Sequence, residues 1–318
     1  MSENEPQHEP TEPKAPSEAA ESSDAPLDPL DDDVSFVKTV LQFFVIPAFV
    51  VAVCVGVFLF FAWLVSSDKT GVDYLNEIRT GSDNRRWQAA FELSKIITMK
   101  SEQETLEGLV PQMIDAFQRA GDDDPRVRHY LAISLGHLGD RDATPVLVEA
   151  LGDSDPATRL YAAWALGAID DPRAVAPLLR AARDDDAGVR KVAVYSLGAI
   201  GDPSANEGLQ VALSDPERDV SWNAAISLAQ LGDPAGESQL MRMLDREFMD
   251  SVADMDEAQK LLTMESAIKG AGHLGGGPLV AQLEAISESD PNLGIRRAAL
   301  EALEAIRSME TSHEKHHP

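Results

Sequence analysis

Apolar residues recur at every third or fourth position through the middle of the chain, and this pattern returns at a constant interval. Asp124, Asp155 and Asp186 open successive copies and stand 31 residues apart. The spacing predicts amphipathic helices, and its repetition is typical of proteins built from stacked units. Clear copies occupy residues 124–140, 155–171, 186–202 and 217–233.

Local signals mark both ends of these helices. Asp124 and Asp155 are each followed by proline, the pattern of a capping side chain before a helical position that needs no N–H. A glycine then ends most copies, and the aspartate after it is placed to cap a second helix. The second helices share a leucine in register, at Leu147, Leu178, Leu209 and Leu240. Each unit is therefore predicted to be a pair of short helices.

The repeated sequence resembles a known family. Its consensus, V-R-x-x-A-x-x-x-L-G-x-[IL]-G-D-P, is most complete in Val189–Pro203 and is similar to the HEAT-like repeats of phycobilisome lyases. Weaker copies lie around Ala89 and Leu93 and again around Gly272 and Leu303. The resemblance implies an all-α fold, a HEAT-like α-solenoid of about six to seven helix pairs. An uncharged stretch before the repeats separately predicts that one transmembrane helix precedes the solenoid.

Composition divides the chain further. Residues 1–35 are rich in Asp, Glu, Pro and Ser, which is typical of disorder, and residues 246–260 interrupt the repeat as an insertion. The predicted segments are an acidic disordered tail (1–35), a transmembrane helix (36–66), a juxtamembrane segment with a degenerate first repeat (67–123), regular repeats (124–246), an insertion with degenerate C-terminal repeats (247–307) and a disordered tail (308–318).

The transmembrane prediction rests on residues 43–65, which carry no charge. A helix of this length crosses the roughly 30 Å hydrocarbon layer. A signal peptide would have a short basic start and a shorter apolar stretch, whereas an acidic tail precedes this one. The sequence therefore predicts a single-pass protein of the cell membrane.

Basic residues near this stretch favour one orientation. Lys38 precedes it, and Lys69, Arg79, Arg85 and Arg86 follow it. Because positive charge is retained on the cytoplasmic side, the repeats are predicted to face the cytoplasm, and the opposite topology stays open.

Ala48, Ala52 and Gly56 are spaced four apart and form one face of small residues on the predicted span. Such faces allow two membrane helices to approach closely, so one interpretation is a homodimer. The other is that small residues are common in membrane spans.

The resemblance also implies a ladder between units, in which a repeated arginine pairs with a loop aspartate. A bidentate arginine–carboxylate pair at each junction explains a period of this kind without any ligand. Ser221 interrupts the arginine column. The expected members are Arg128, Arg159, Arg190, Asp140, Asp171, Asp202 and Asp233.

Charge narrows the range of partners. The chain carries 27 Lys and Arg against 54 Asp and Glu, a formal net charge of −27. Residues 67–318 account for −18 of it, from 25 basic and 43 acidic side chains. This charge disfavours nucleic acid and favours basic protein partners.

The sequence offers few residues that could bind a metal or cofactor or act in catalysis. Deoxyhypusine hydroxylases resemble this fold and hold iron with His-Glu pairs on their helices, but here such pairs occur only at His8–Glu9 and His313–Glu314, outside the repeats. No phosphate-binding loop or dinucleotide fingerprint is present. We therefore expect no cofactor, no metal and no catalytic residue.

Two surfaces are candidates for partner binding. Aromatic residues fill two columns on one face of the first helices, at Tyr130, Tyr161, Trp164 and Tyr195. They either gather binding energy at an interface or pack between neighbouring units. The second helices carry a variable polar column at Glu149, Arg180 and Arg242, which suggests a binding face.

The function predicted from these features is a membrane-anchored, non-catalytic scaffold or adaptor that binds protein partners. The alternative is an accessory or lyase-like subunit of an enzyme complex. Fold alone does not decide between them.

Overall fold

The computed structural model describes residues 41–65, 69–99, 108–122 and 124–314. The chain separates into two units, Met1–Asp68 and Lys69–Pro318. The predicted tail 1–35 lies outside the described residues.

In the first unit, residues 41–65 form a π-helical turn at Leu41–Val45 and then helix α1 (Ile46–Val65). The change of geometry falls beside Pro47, which has no N–H to donate to the preceding turn. Leu41–Phe61 is long and apolar enough to cross a membrane, and none of its side chains is buried within the structure. These are the properties of a helix that could span a bilayer.

The second unit is built from helix pairs. Its described residues form six pairs, and an initial helix and a terminal helix flank them. The first helices of the pairs are α3 (Asp83–Met99), α5 (Pro125–Leu138), α7 (Pro156–Ile169), α9 (Ala187–Ile200), α11 (Arg218–Gln230) and α14 (Glu257–Leu274). The second helices are α4 (Val110–Arg119), α6 (Thr144–Ala150), α8 (Val175–Ala181), α10 (Asn206–Ala212), α12 (Glu237–Leu244) and α15 (Gly277–Ser289). The flanking and inserted helices are α2 (Gly71–Thr80), α13 (Arg246–Ser251) and α16 (Leu293–Glu314). The predicted all-α solenoid is confirmed.

The structure differs from expectation at the C-terminus, where residues 308–318 are predicted to be disordered. Helix α16 continues to Glu314. Because no glycine or proline lies between Gly294 and Pro318, nothing in the sequence stops the helix earlier. Residues 315–318 lie outside the described part of the chain.

Helix ends follow the sequence signals. The side chains of Asp124, Asp155 and Asp186 accept hydrogen bonds from backbone N–H groups in the first turn of the helices that follow them. Gly139 and Gly201 end α5 and α9 with φ of 69° and 70°, in the left-handed region that glycine adopts without strain. Asp170 fills the same position after α7 with φ of 56°.

Neighbouring first helices approach each other closely through small residues. A Cβ built on Gly167 would lie 2.5 Å from Ser196 Oγ, and one on Gly198 would lie 2.3 Å from Ser227 Oγ. Both serines are buried, and each donates a hydrogen bond to a carbonyl oxygen of the preceding unit: Ser196 to Ala163 at 2.8 Å and Ser227 to Val194 at 3.1 Å. Glycine and serine together therefore fix the spacing of the units.

The arginine ladder joins the loops between units. Arg159 donates to both carboxylate oxygens of Asp184, at 2.8 and 2.7 Å, and to the carbonyl of Asp153 at 2.9 Å. Arg190 repeats the arrangement with Asp215 and the carbonyl of Asp184, and Arg128 pairs with Asp153. Each of Arg159 and Arg190 thus holds the loop before its own helix and the next loop along the stack.

The carboxylates of this ladder are not the ones expected. Asp140, Asp171, Asp202 and Asp233 lie at the opposite ends of the first helices, where each accepts a backbone N–H at the start of a 3₁₀ turn. Asp171 additionally accepts from Thr144 Oγ1 of the preceding unit at 2.7 Å. The expected pairing is wrong because the arginines lie in the first turns of their helices, next to the loops between units, and not next to the turns within them.

Arg159→Ala is expected to lower the free energy of unfolding by about 2–4 kcal/mol, because it leaves the mostly buried Asp184 carboxylate without its cation. Chemical unfolding of the full chain in detergent, followed by circular dichroism, measures the change. Arg297→Ala removes an exposed pair with Glu301 and serves as the control, with an expected loss of at most about 0.5 kcal/mol. Equal losses in the two variants would contradict the assignment.

Gly198→Ala is expected to destabilise the solenoid by about 1–3 kcal/mol, because the added methyl meets Ser227 Cβ at 2.6 Å. Gly152→Ala, whose Cβ would have its nearest neighbour at 3.5 Å, is the control and should change stability little. Ser227→Gly in the Gly198→Ala background should restore part of the loss. Thermal unfolding midpoints of the three variants test this.

Acid should destabilise the fold through its paired aspartates. Hydrogen bonds from the Arg173 side chain hold the pKa of the buried Asp171 carboxyl well below its usual range, and Arg190 lowers the pKa of Asp215. A depressed folded-state pKa stabilises the protein above the unfolded-state pKa, near 3.9, and this contribution is lost as pH falls through the folded-state value. Thermal midpoints should therefore drop below about pH 4. The thermal midpoint of Asp171→Asn should be lower than that of the unsubstituted protein at neutral pH and should drop less in acid. A drop in acid equal to that of the unsubstituted protein would contradict this role of Asp171.

Candidate protein-binding groove

A groove of about 500 Å³ opens where α9, α11 and α14 meet the loop that follows α13. Clefts of this size are within the range of small-molecule and side-chain binding sites. Its principal lining residues are Tyr195, Arg218, Trp222, Ile226, Met255 and Leu262.

The groove has an aromatic floor and an exposed apolar rim. Trp222 is only 7% exposed and stands edge-on to Phe248 of α13, with ring centroids 6.4 Å apart. Tyr195 and Leu262 are 52% and 63% exposed, although both are large apolar side chains. Aromatic anchors beside a buried floor are the arrangement in which protein interfaces concentrate their binding energy.

An ion pair closes one end of the groove. Arg218 donates to both carboxylate oxygens of Asp254, at 2.8 and 3.0 Å, and its guanidinium carbon lies 4.9 Å from the Trp222 ring centroid. The Arg218 guanidinium holds the pKa of Asp254 below its usual value. This pair ties the inserted loop to α11, where the regular ladder is interrupted: one repeat beyond Arg190 and Asp215, the chain has Ser221 and Arg246.

The predicted aromatic columns reach this groove, and the exposure of their side chains differs between the groove and the preceding units. Tyr130 and Tyr161 are half-buried against Phe91 and His129, with ring centroids 5.2 and 5.1 Å apart. Trp164 is half-buried 5.0 Å from the His137 ring. Of the four predicted aromatic residues, only Tyr195 is more exposed than half-buried, so the structure brings one of them into the groove and packs the others between units.

The predicted polar column lies elsewhere. Glu149 and Arg180 are exposed and line a cleft of about 310 Å³ between α6 and α8. Arg242 is exposed on α12, where its guanidinium lies 4.5 Å from the Phe248 ring centroid. These residues do not line the groove. Ala48, Ala52 and Gly56 lie exposed along α1, and a Cβ on Gly56 would meet no atom within 4 Å.

Sequence reasoning missed Arg218, Trp222, Met255 and Leu262. The available signal was the break in the repeat: Arg218 stands one repeat beyond Ala187 and two beyond Pro156, and Met255 lies in the insertion. Residues that depart from a structural consensus are candidates for function, because the consensus already accounts for stability.

The groove offers contact surface and hydrogen bonds. Asn223, Gln259, Thr263 and Ser266 place uncharged polar groups along it. Among the described residues, no group of three or more His, Cys, Asp or Glu side chains is placed to hold a metal ion.

Comparisons with known proteins agree with the fold. The family model described as HEAT repeats matches residues 110–198 and 181–254. The complex of CpcE and CpcF of phycocyanin lyase from Nostoc sp. PCC7120 aligns with a TM-score of 0.51 and 23% identity, over 77% of this chain and 94% of that one.

Two further structures are more distant. An engineered protein aligns with a TM-score of 0.40 and 20% identity, over 75% of this chain and 96% of that one. Human deoxyhypusine hydroxylase in complex with glycerol aligns with a TM-score of 0.31 and 19% identity, over the same shares.

No curated protein matches the chain. The family model covers the central repeats, and the helix pairs on either side continue the same stacking. Residues 110–254 therefore match HEAT repeats, and the described helix pairs form a HEAT-like α-solenoid.

Proposed function

We propose that this chain is a single-pass membrane-anchored scaffold that binds a protein partner in the groove and supplies no covalent chemistry of its own. The observation that supports it best is the exposed pair Tyr195 and Leu262 above the buried Trp222. A solenoid stabilises its regular units through the ladder and the small-residue contacts, and neither requires apolar side chains to remain exposed at this point.

The anchor is α1, and the repeats face the cytoplasm. The length and apolar composition of Leu41–Phe61 support the span. The basic residues that follow it, among them Lys69 and Arg79, support the orientation. A scaffold tethered in this way holds its partner close to the membrane.

A second candidate is an accessory or lyase-like subunit of an enzyme complex. The groove volume of about 500 Å³ favours it, because small organic molecules occupy sites of this size. Native mass spectrometry of the full chain, purified in mild detergent, separates the two functions. A stoichiometric bound small molecule, lost in Trp222→Ala, would support the accessory role over the scaffold.

The scaffold predicts a groove-specific cross-link. A photoreactive phenylalanine analogue in place of Tyr195 should cross-link a discrete protein in intact membranes. The same analogue at Val211, an equally exposed residue on α10, is the control and should not. Leu262→Ala should reduce the yield of the Tyr195 product several-fold, because it removes an apolar contact. Identical products from both positions, or products only between copies of this chain, would overturn the proposal.

A further inference from the structure

The groove has two chemically different halves. Tyr195, Trp222 and Leu262 form an apolar half. Lys191, Arg218 and Asp219 lie near the N-terminal ends of α9 and α11 and form a charged half. A bound segment must satisfy both halves at once.

In the charged half Arg218 is already engaged by a short ion pair, whereas the carboxylate of Asp219 is not. Arg218 is held by Asp254 in a two-point contact. Asp219 is 54% exposed, and its ion-pair contacts in the described structure, to Lys191 and Arg218, are long, at 3.7 and 3.6 Å.

Further carboxylates stand nearby at the same helix ends. Asp185 and Glu217 are exposed, and no ion pair is formed by either side chain within the described residues. Asp185 precedes α9 and Glu217 precedes α11. Asp185 and Glu217 do not line the groove, but they add negative charge to the loops that precede two of its helices.

We infer that the occupant of the groove is a partner segment with a bulky apolar side chain seated on Tyr195, Trp222 and Leu262 and a lysine or arginine beside it at Asp219. The inference rests on the proposed function and specifies its partner. The net charge of −18 on residues 67–318 attracts such a segment and repels an acidic one.

The test is a selection of random dodecapeptides displayed on phage against the full chain in lipid nanodiscs. Peptides that also bind Tyr195→Ala/Leu262→Ala are discarded, so the remaining peptides depend on the groove. Both substituted side chains are exposed, and the double variant should keep the fold, which its circular dichroism and thermal midpoint verify. The expected result is enrichment of peptides that combine Leu, Phe or Trp with Lys or Arg.

Charge reversal sharpens the test. For a synthetic copy of the most enriched peptide, fluorescence anisotropy should show binding weakened about fivefold or more by Glu217→Lys/Asp219→Lys. Glu207→Lys, an exposed carboxylate on α10 away from the groove, is the matched control and should change the affinity less than about twofold. Repeating the selection on the reversed variant should enrich Asp and Glu in place of Lys and Arg.

The outcomes separate the inference from the proposed function. Groove-dependent peptides without a basic preference would overturn the inference and leave the docking groove intact. A selection that yields no groove-dependent peptide would overturn both. Enriched peptides that match a segment of this chain would place a second copy in the groove and would also overturn the inference.

Discussion

The constraint on which the solenoid depends is the bridge that one arginine makes between two consecutive loops. Arg159 donates hydrogen bonds to the carbonyl of Asp153 in the preceding loop and to the carboxylate of Asp184 in the following one. Arg190 donates in the same way to the carbonyl of Asp184 and the carboxylate of Asp215. Because the same loop residue serves two arginines, the junctions are linked and not independent. The guanidinium suits this role, since its rigid set of donors fixes both direction and distance. With the glycine–serine contacts between first helices, it sets how each unit lies on the next.

The groove lies where the arginine bridge between consecutive loops is absent. One repeat after Arg190 the chain has Ser221, and one repeat after Asp215 it has Arg246, so neither half of the bridge is present. Arg218 makes a replacement bridge to Asp254, which belongs to the inserted loop. The inserted loop lines the groove together with α9, α11 and α14. The groove thus coincides with a local loss of regularity, where one new ion pair takes the place of the ladder.

Much of the fold follows from the sequence because its determinants are local. Capping aspartates, left-handed glycines and apolar spacing act within one helix, and a period of 31 residues repeats them. The ladder partners could not be chosen in this way, because Asp171 and Asp184 belong to columns of equal period and only the packing of units shows which column faces the arginines. The groove was missed for a related reason: Trp222 and Leu262 are separated by an insertion that breaks the period, so no spacing connects them.

The position of the groove also matters for the mechanics of the stack. Two hydrophobic clusters meet at α11, whose Val220 and Leu228 belong to the first cluster and whose Trp222 and Ala225 belong to the second. A partner segment lying across Tyr195 and Leu262 contacts helices on both sides of this junction. Any ligand that binds the folded arrangement better than a loosened one stabilises it by mass action. In the proposed scaffold, binding would therefore be coupled to a junction where the arginine ladder does not hold consecutive units together. The stack would become more rigid there when the partner is bound.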